Sequence, residues 1–378
     1  MNKIKLLIMV KSIDGGTGTF LLNLLKIKRH FSRNKLSMKT LVLEKPSYRK
    51  IVSKDIIFFR DNNFYPQRYS LSPINFINFM SEIIWTKKIC CEYKPDIILS
   101  IDLRCNLIAI FTRLFFPSIK VMITNHIDLR ETISDKSSKY LYFFLKRGIG
   151  FFYNSAGAIV GVSKQLSTNL KHDFSINKNI TTIYNGMEIK GGEPKFRLND
   201  KKILITIARL VEQKDHETLI KAISLLKKKI PKIELWILSN GPKKKLLEKY
   251  VKELKLTHEI FFLGWVKDIV PYLKKADLFV FSSKREGFAY VLVESMAQGL
   301  PIVSTNTHYG PSEILEKGKY GLLVPVGKPT KFKNACYELL TNKKKYAYYS
   351  KKSIERSKYF TVDKMLKGYK KQIEKLIK

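Results

Sequence analysis

Two glutamates eight positions apart, Glu286 and Glu294, flank a short loop that joins an apolar strand to a helix. The strand reads Asp277-Leu-Phe-Val-Phe-Ser and the loop Lys284-Arg-Glu-Gly-Phe, and the helix carries Val291, Val293, Met296 and Ala297 before Gly299 and Pro301 stop it. A helix start has unpaired N–H groups and partial positive charge, so such a unit makes an anion site. With Glu286 in the loop and Glu294 about two turns into the helix, eight helical residues span roughly 12 Å at ~1.5 Å each. That matches the length of a sugar diphosphate, and carboxylates at both ends of a phosphate cradle suit a ligand with hydroxyls at both ends. Two solvated glutamates on an ordinary strand–helix unit would have the same sequence. Near the start, Ser12-Ile-Asp-Gly-Gly-Thr-Gly-Thr offers Gly15 and Gly16, where backbone N–H groups can approach a ligand closely. His126 stands at the carboxyl end of an apolar strand, where open α/β sheets place their ligands.

Strands alternating with helices must position these groups. Residues 4–10 read as a first buried strand whose helix starts near Phe20, and 36–43, 95–101 and 120–127 as further strands. Ala158-Ile-Val-Gly-Val-Ser-Lys-Gln-Leu and Ile180-Thr-Thr-Ile-Tyr-Asn-Gly-Met-Glu continue the alternation, and it resumes at Ile203, Ile233, Ile260 and Leu278. Between these sets, Gly191-Gly-Glu-Pro-Lys-Phe-Arg-Leu-Asn-Asp is a polar Gly/Pro connection. The 378 residues suffice for two cores. The expectation is an α/β protein of two doubly wound, Rossmann-like domains, 1–190 and 191–359, with a helix of clean apolar spacing over 360–378.

Glu286 to Glu294 resembles the E-x7-E element of family 4 retaining nucleotide-sugar glycosyltransferases, which have the GT-B fold. The resemblance runs through Gly299-Leu-Pro-Ile-Val-Ser and Gly310-Pro-Ser-Glu-Ile-Leu, covers nearly the whole chain and is strongest from Ile203 to Val326. It implies two domains facing across a cleft: acceptor on 1–190, with 360–378 packed back on it, and nucleotide sugar on 191–359. Arg209 and Lys214 match the family's phosphate pair. A cleaved nucleotide sugar leaves as a diphosphate, and cations fixed there stabilise the growing charge. By the same resemblance Glu294 takes the ribose hydroxyls and Glu286 the hydroxyls of the transferred sugar. The amides of Phe288, Ala289 and Tyr290, next to Gly287, meet the phosphates. Gly15 and Gly16 face the diphosphate, His126 lies near the donor sugar, and Trp265 and Val266 surround the base. Gly241 belongs to a G-x-G-P turn in which Ser239 replaces the first glycine. Ser163 and Asn185-Gly186 also fall at family positions. No Asp-x-Asp motif suited to Mg²⁺ is present, so the expectation is a metal-independent enzyme with no cofactor and a UDP-sugar as co-substrate. His308-Tyr-Gly-Pro is similar to members that extend lipid-linked or surface glycans, often with N-acetylhexosamines.

Charge is the unusual feature: 70 Lys and Arg against 32 Asp and Glu give +38. Compositional drift accounts for part of it. A nucleic-acid binder needs such charge, but no RNP-like aromatic motif, zinc-finger spacing or helix-turn-helix signature accompanies it, and nucleic acid is not expected as a partner. An anionic membrane surface is. Residues 45–80 interleave cations and rings (Lys45, Tyr48, Arg49, Lys50, Lys54, Phe58, Phe59, Arg60, Phe64, Tyr65, Arg68, Tyr69), which suits a membrane interface. The apolar runs are too short to span a bilayer, and the first residues lack a cleavage site. The expected location is therefore cytoplasmic, peripheral at the inner face of the membrane. A transferase with a soluble acceptor and a basic nucleic-acid-binding α/β protein are the alternatives. Cys90, Cys91, Cys105 and Cys336 have no metal-ligand spacing and are expected to be free thiols.

Overall fold

The computed structural model describes residues 3–13, 15–32, 34–44, 55–59, 73–134, 139–189, 191–194, 200–307 and 309–378. It divides into two compact units, Met1–Gly186 with Val362–Lys378, and Met187–Thr361.

The first unit is a seven-stranded parallel sheet built from β1 (Ile4–Val10), β2 (Leu36–Val42), β3 (Ile56–Phe58), β4 (Ile97–Ile101), β5 (Lys120–Asn125), β6 (Ala158–Gly161) and β7 (Ile180–Thr182), in the order β3-β2-β1-β4-β5-β6-β7. Its helices are α1 (Gly15–Leu24), α2 (Pro73–Tyr93), α3 (Asp102–Phe115), α4 (Leu129–Ser134), α5 (Lys139–Ser155) and α6 (Lys164–Asp173). The second unit's sheet is also parallel: β8 (Lys202–Ile207), β9 (Ile233–Leu238), β10 (Ile260–Gly264), β11 (Leu278–Phe281), β12 (Ile302–Thr305) and β13 (Leu322–Val324), in the order β10-β9-β8-β11-β12-β13. With it go α7 (His216–Lys227), α8 (Lys244–Glu253), α9 (Val270–Lys275), α10 (Tyr290–Ala297), α11 (Pro311–Ile314), α12 (Pro329–Thr341) and α13 (Lys343–Ser357). The last helix, α14 (Val362–Ile377), belongs to the first unit, where Tyr369 packs on Phe20 with ring centroids 5.6 Å apart.

Continuous apolar strands explain these sheets. Parallel strands covered on both faces read as unbroken runs rather than alternations. Accordingly Leu6 to Val10, Ile97 to Leu99 and Leu278 to Val280 are fully buried. In each sheet the strand order reverses once, at β1/β4 and at β8/β11, and the loops leaving the carboxyl ends beside such a switch point form a natural ligand crevice. All four cysteines are free. Among the described residues no helix is long and apolar enough to cross a membrane.

Candidate functional site

In the second unit, the loop after β8 carries Arg209 and Lys214, and the loop after β11 carries Glu286; these are the strands that flank the switch point. Lys214 Nζ is hydrogen-bonded to Glu286 Oε1 across 72 positions of sequence. Both side chains are largely buried, 18% and 9% exposed, and the lysine also lies 5.4 Å from the centre of the Phe281 ring. Serine hydroxyls stitch the two loops together: Ser282 Oγ donates to the Lys214 carbonyl (2.8 Å) and Ser283 Oγ to the Gln213 carbonyl (3.2 Å). The amide of Lys284 donates to the same Gln213 carbonyl (2.8 Å), and Gln213 Nε2 reaches the Arg285 carbonyl (2.8 Å). The ion pair is therefore held by main-chain geometry rather than by two flexible side chains.

Arg209 is exposed, and its guanidinium has no hydrogen bond or ion pair among the described residues. Its carbonyl accepts from His216 Nε2 at 3.2 Å; burial holds that imidazole near pKa 4, so it is neutral at physiological pH. Beside the same loop, Lys243 and Lys284 both close on Glu212, and their hydrogen bonds draw its carboxyl down to about 2. Those lysines are paired, while Arg209 is exposed and Lys214 is held by Glu286.

The chain from Glu286 to Glu294 departs from the expected uniform helix. Helix α10 begins only at Tyr290, after an extended Ala289 (φ −96°, ψ 91°), so Glu294 stands one turn into the helix instead of two. The seam between the loops accounts for this, because residues 282–284 donate to the carbonyls of 213 and 214, the Arg285 carbonyl accepts from the Gln213 side chain, and 286–289 are left to cross to the helix. Gly310 supports the crossing. It sits at φ +69°, and a Cβ there would come within 3.1 Å of Glu286 Cβ and 3.6 Å of the Ala289 amide nitrogen. The start of α10, with Phe288, Ala289 and Tyr290, carries no side-chain cap and therefore presents amides to an anion. Glu294 has no hydrogen bond or ion pair among the described residues, and burial pushes its carboxyl up to about 7.

Gly241 lies under the Arg209–Lys214 loop: a Cβ would fall 2.5 Å from the Leu210 carbonyl oxygen. Ser239, in the place of the family's first glycine, takes φ +127°, a conformation that side chains with a Cβ rarely adopt. Such a residue costs of order 1–3 kcal/mol, more than the unfolded-state entropy a glycine adds, about 0.4–1 kcal/mol. Ser239→Gly should therefore raise the thermal midpoint by about 2–4 °C and leave turnover intact, as a melting curve and an assay of the same preparation would register. Trp265, 64% exposed, and the half-buried Val266 follow β10.

The first unit holds the remaining candidates. Gly15 and Gly16 open α1, so the helix starts five residues before Phe20. The glycine that packing demands is Gly18, whose Cβ would overlap the Ile13 carbonyl oxygen at 1.8 Å. His126 follows β5 with its ring edge-on to Phe20 at 4.4 Å; its Nε2 is buried with no hydrogen-bond partner among the described residues, and burial lowers its pKa to about 3. Sequence reasoning missed Asp102, next to it at the end of β4. This residue is at φ +69°, accepts the His126 amide, and burial raises its carboxyl to about 6 while Oδ1 has no partner among the described residues. A non-glycine in left-handed backbone at a strand end is a fold-level signal that sequence spacing does not carry. Lys45, Tyr48, Arg49, Lys50, Lys54, Arg60, Phe64, Tyr65, Arg68, Tyr69 and His308 lie outside the described residues.

Comparisons with known proteins agree with this geometry. The family model described as Glycosyltransferase Family 4 matches residues 49–190, and the one described as Glycosyl transferases group 1 matches 193–356. A lipopolysaccharide core biosynthesis glycosyltransferase of Rhizobium meliloti is 34% identical over 38% of this chain and 41% of its own length. The N-acetylgalactosamine-N,N'-diacetylbacillosaminyl-diphospho-undecaprenol 4-alpha-N-acetylgalactosaminyltransferase of Campylobacter jejuni is 29% identical over 72% of this chain and 75% of its own length. Among solved structures, the sucrose-phosphate synthase of Thermosynechococcus elongatus superposes with a TM-score of 0.81 at 17% identity, covering 99% of both chains. HepE of Anabaena, crystallised with UDP and glucose, gives 0.78 at 17% identity over 98% of this chain and all of its own. The fold is GT-B.

Proposed function

We propose, because this chain belongs to the family 4 glycosyltransferases, that it moves a sugar from a UDP-sugar to a lipid-linked or surface-glycan acceptor at the inner membrane face, with retention at the anomeric carbon. The observation that carries the reading is the Lys214–Glu286 pair, fixed by the loop seam beside the uncapped start of α10. A diphosphate laid on that helix start meets Lys214 and Arg209, while Glu286 is free to exchange its lysine for sugar hydroxyls. When the bond from the anomeric carbon to the β-phosphate oxygen breaks, its electron pair stays on the phosphate. The two cations and the helix amides stabilise that charge where it appears. Glu294, one turn further along, takes the ribose hydroxyls.

Arg209, Lys214 and the helix start supply the positive charge a leaving diphosphate needs, so turnover is expected to be unchanged by excess chelator. Activity abolished by EDTA and restored by Mg²⁺ would contradict this assignment. The relatives that act on lipopolysaccharide core and on an undecaprenol-linked glycan support the acceptor class, and the second supports an N-acetylhexosamine as the sugar. Thermal shift against UDP, GDP and a panel of their sugars tests the donor. UDP and a UDP-N-acetylhexosamine should raise the midpoint, a rise with GDP alone would replace the base, and no rise with any nucleotide would remove the reading.

A further inference from the structure

On one side of the first unit, α2, α3 and α5 pack side by side, joined by the ring contacts Phe79–Phe111 (5.8 Å) and Phe111–Phe152 (4.9 Å). Their inner faces are filled in the ordinary way; Ile83, Ile108, Ile149 and Tyr153 are buried. The outer faces are apolar as well. On α5, Phe143, Phe144 and Phe151 are 52%, 69% and 74% exposed, gathered within about 100° of the helix circumference at 100° per residue. Arg147 lies in the same sector, 5.6 Å from the Phe143 ring. On α2, Phe76, Ile77 and Ile84 are 63–66% exposed in one sector that also holds the exposed Lys87. Lys87 bridges to α3, with its ammonium 4.6 Å from the ring of Phe115, itself 54% exposed. A water-facing helix normally carries polar groups on its outer side, and a cluster of this size on adjoining helices marks an interaction surface.

We propose that this face of α2, α3 and α5 docks on an anionic phospholipid bilayer. Rings with cations above them suit the depth at which aromatic side chains sit among headgroups while lysine and arginine meet phosphate. Helix α5 contains no acidic residue, so nothing on it repels an anionic surface. A second copy of this chain would bring +38 against +38. A nucleic acid would match the charge, but Ile77 and Ile84 gain nothing from base stacking and gain from hydrocarbon. The surface takes in the end of the basic–aromatic segment that the sequence pointed to, 45–80, through Phe76 and Ile77 on α2; most of that segment is outside the described residues. This deepens the lipid-linked acceptor reading by giving it a docking face.

The test is flotation with vesicles of phosphatidylcholine alone and of phosphatidylcholine mixed with phosphatidylglycerol, comparing wild type with two surface variants. These are Phe143→Ser/Phe144→Ser/Phe151→Ser on α5 and Ile77→Ser/Ile84→Ser on α2. Wild type should bind the anionic vesicles, and each variant should bind them at least about tenfold more weakly, with the UDP-induced thermal shift unchanged. Full binding by both variants, equal wild-type binding to both vesicle types, or a variant that loses only self-association or RNA binding would overturn the proposal. A missing UDP shift in wild type would instead count against the donor assignment and leave the docking face standing.

Discussion

Alanine at Lys214 is expected to lower kcat/KM for the nucleotide sugar by about 10²–10³-fold, the usual loss when one fixed group that meets developing charge is removed. Two effects combine in this variant. The leaving diphosphate loses a cation, and Glu286, only 9% exposed, keeps its carboxylate with no counter-ion. A buried polar group stranded in this way costs about 1–3 kcal/mol of stability. Lys214→Ala should therefore melt lower as well as turn over slowly. Adding Glu286→Gln should recover the melting temperature and not the rate, which separates the structural part from the chemical one. Arg209→Ala should slow turnover to a similar degree with little change in stability, because its guanidinium is exposed and has no partner among the described residues to strand. Rates within tenfold of wild type for both single variants would remove the diphosphate role.

The second large effect is expected at Glu294. Burial raises its carboxyl from the ordinary 4.5 to about 7, so the charged form is disfavoured in the folded protein. For an acid whose folded pKa is raised, the folded state holds the extra proton between the two values, so stability falls as pH rises from 4.5 to about 7. At ~1.4 kcal/mol for each tenfold change in proton affinity, the penalty above pH 7 is of order 3 kcal/mol. Glu294→Gln removes it. The variant should melt several degrees higher than wild type at pH 8, at roughly 2–4 °C per kcal/mol, and at nearly the same temperature near pH 4.5. Function should move the opposite way. Ribose hydroxyls donate best to a carboxylate, so wild-type affinity for UDP should weaken as pH drops through 7. The glutamine variant should bind more weakly, with no such dependence. Melting curves of the two proteins that stay parallel across this range would show that Glu294 is not held in a desolvated site.

How much of this was legible beforehand depends on how far apart in sequence the partners lie. The parallel strands announced themselves because Leu6 to Val10 or Leu278 to Phe281 have no polar interruption. The Glu286–Glu294 and Arg209–Lys214 pairs were visible because each is local. Their meeting was not, because Lys214 and Glu286 are 72 positions apart and the contact depends on Ser282 and Ser283 donating to carbonyls of another loop. The start of α10 was misplaced for the same reason: helix periodicity cannot register a tether to a distant backbone. Asp102 gave no signal, since its interest lies in a left-handed φ and a buried oxygen with no partner among the described residues. The outer face of α5 escaped notice because its rings lie on both sides of the helix, Phe152 and Tyr153 inward and Phe143, Phe144 and Phe151 outward. Composition cannot tell which of its rings pack inward.

The return of α14 to the first unit has a consequence for the order in which the protein matures. A ribosome delivers all of Met187–Thr361 before Val362–Ile377. Throughout that interval Phe20 and Ile183 lack the covering that Tyr369 and Gly368 provide. The later-made unit can thus be complete while the earlier one still waits for its closing segment. A released chain cut short after Thr361 would accordingly be protease-sensitive in its amino-terminal part and resistant over Met187–Thr361.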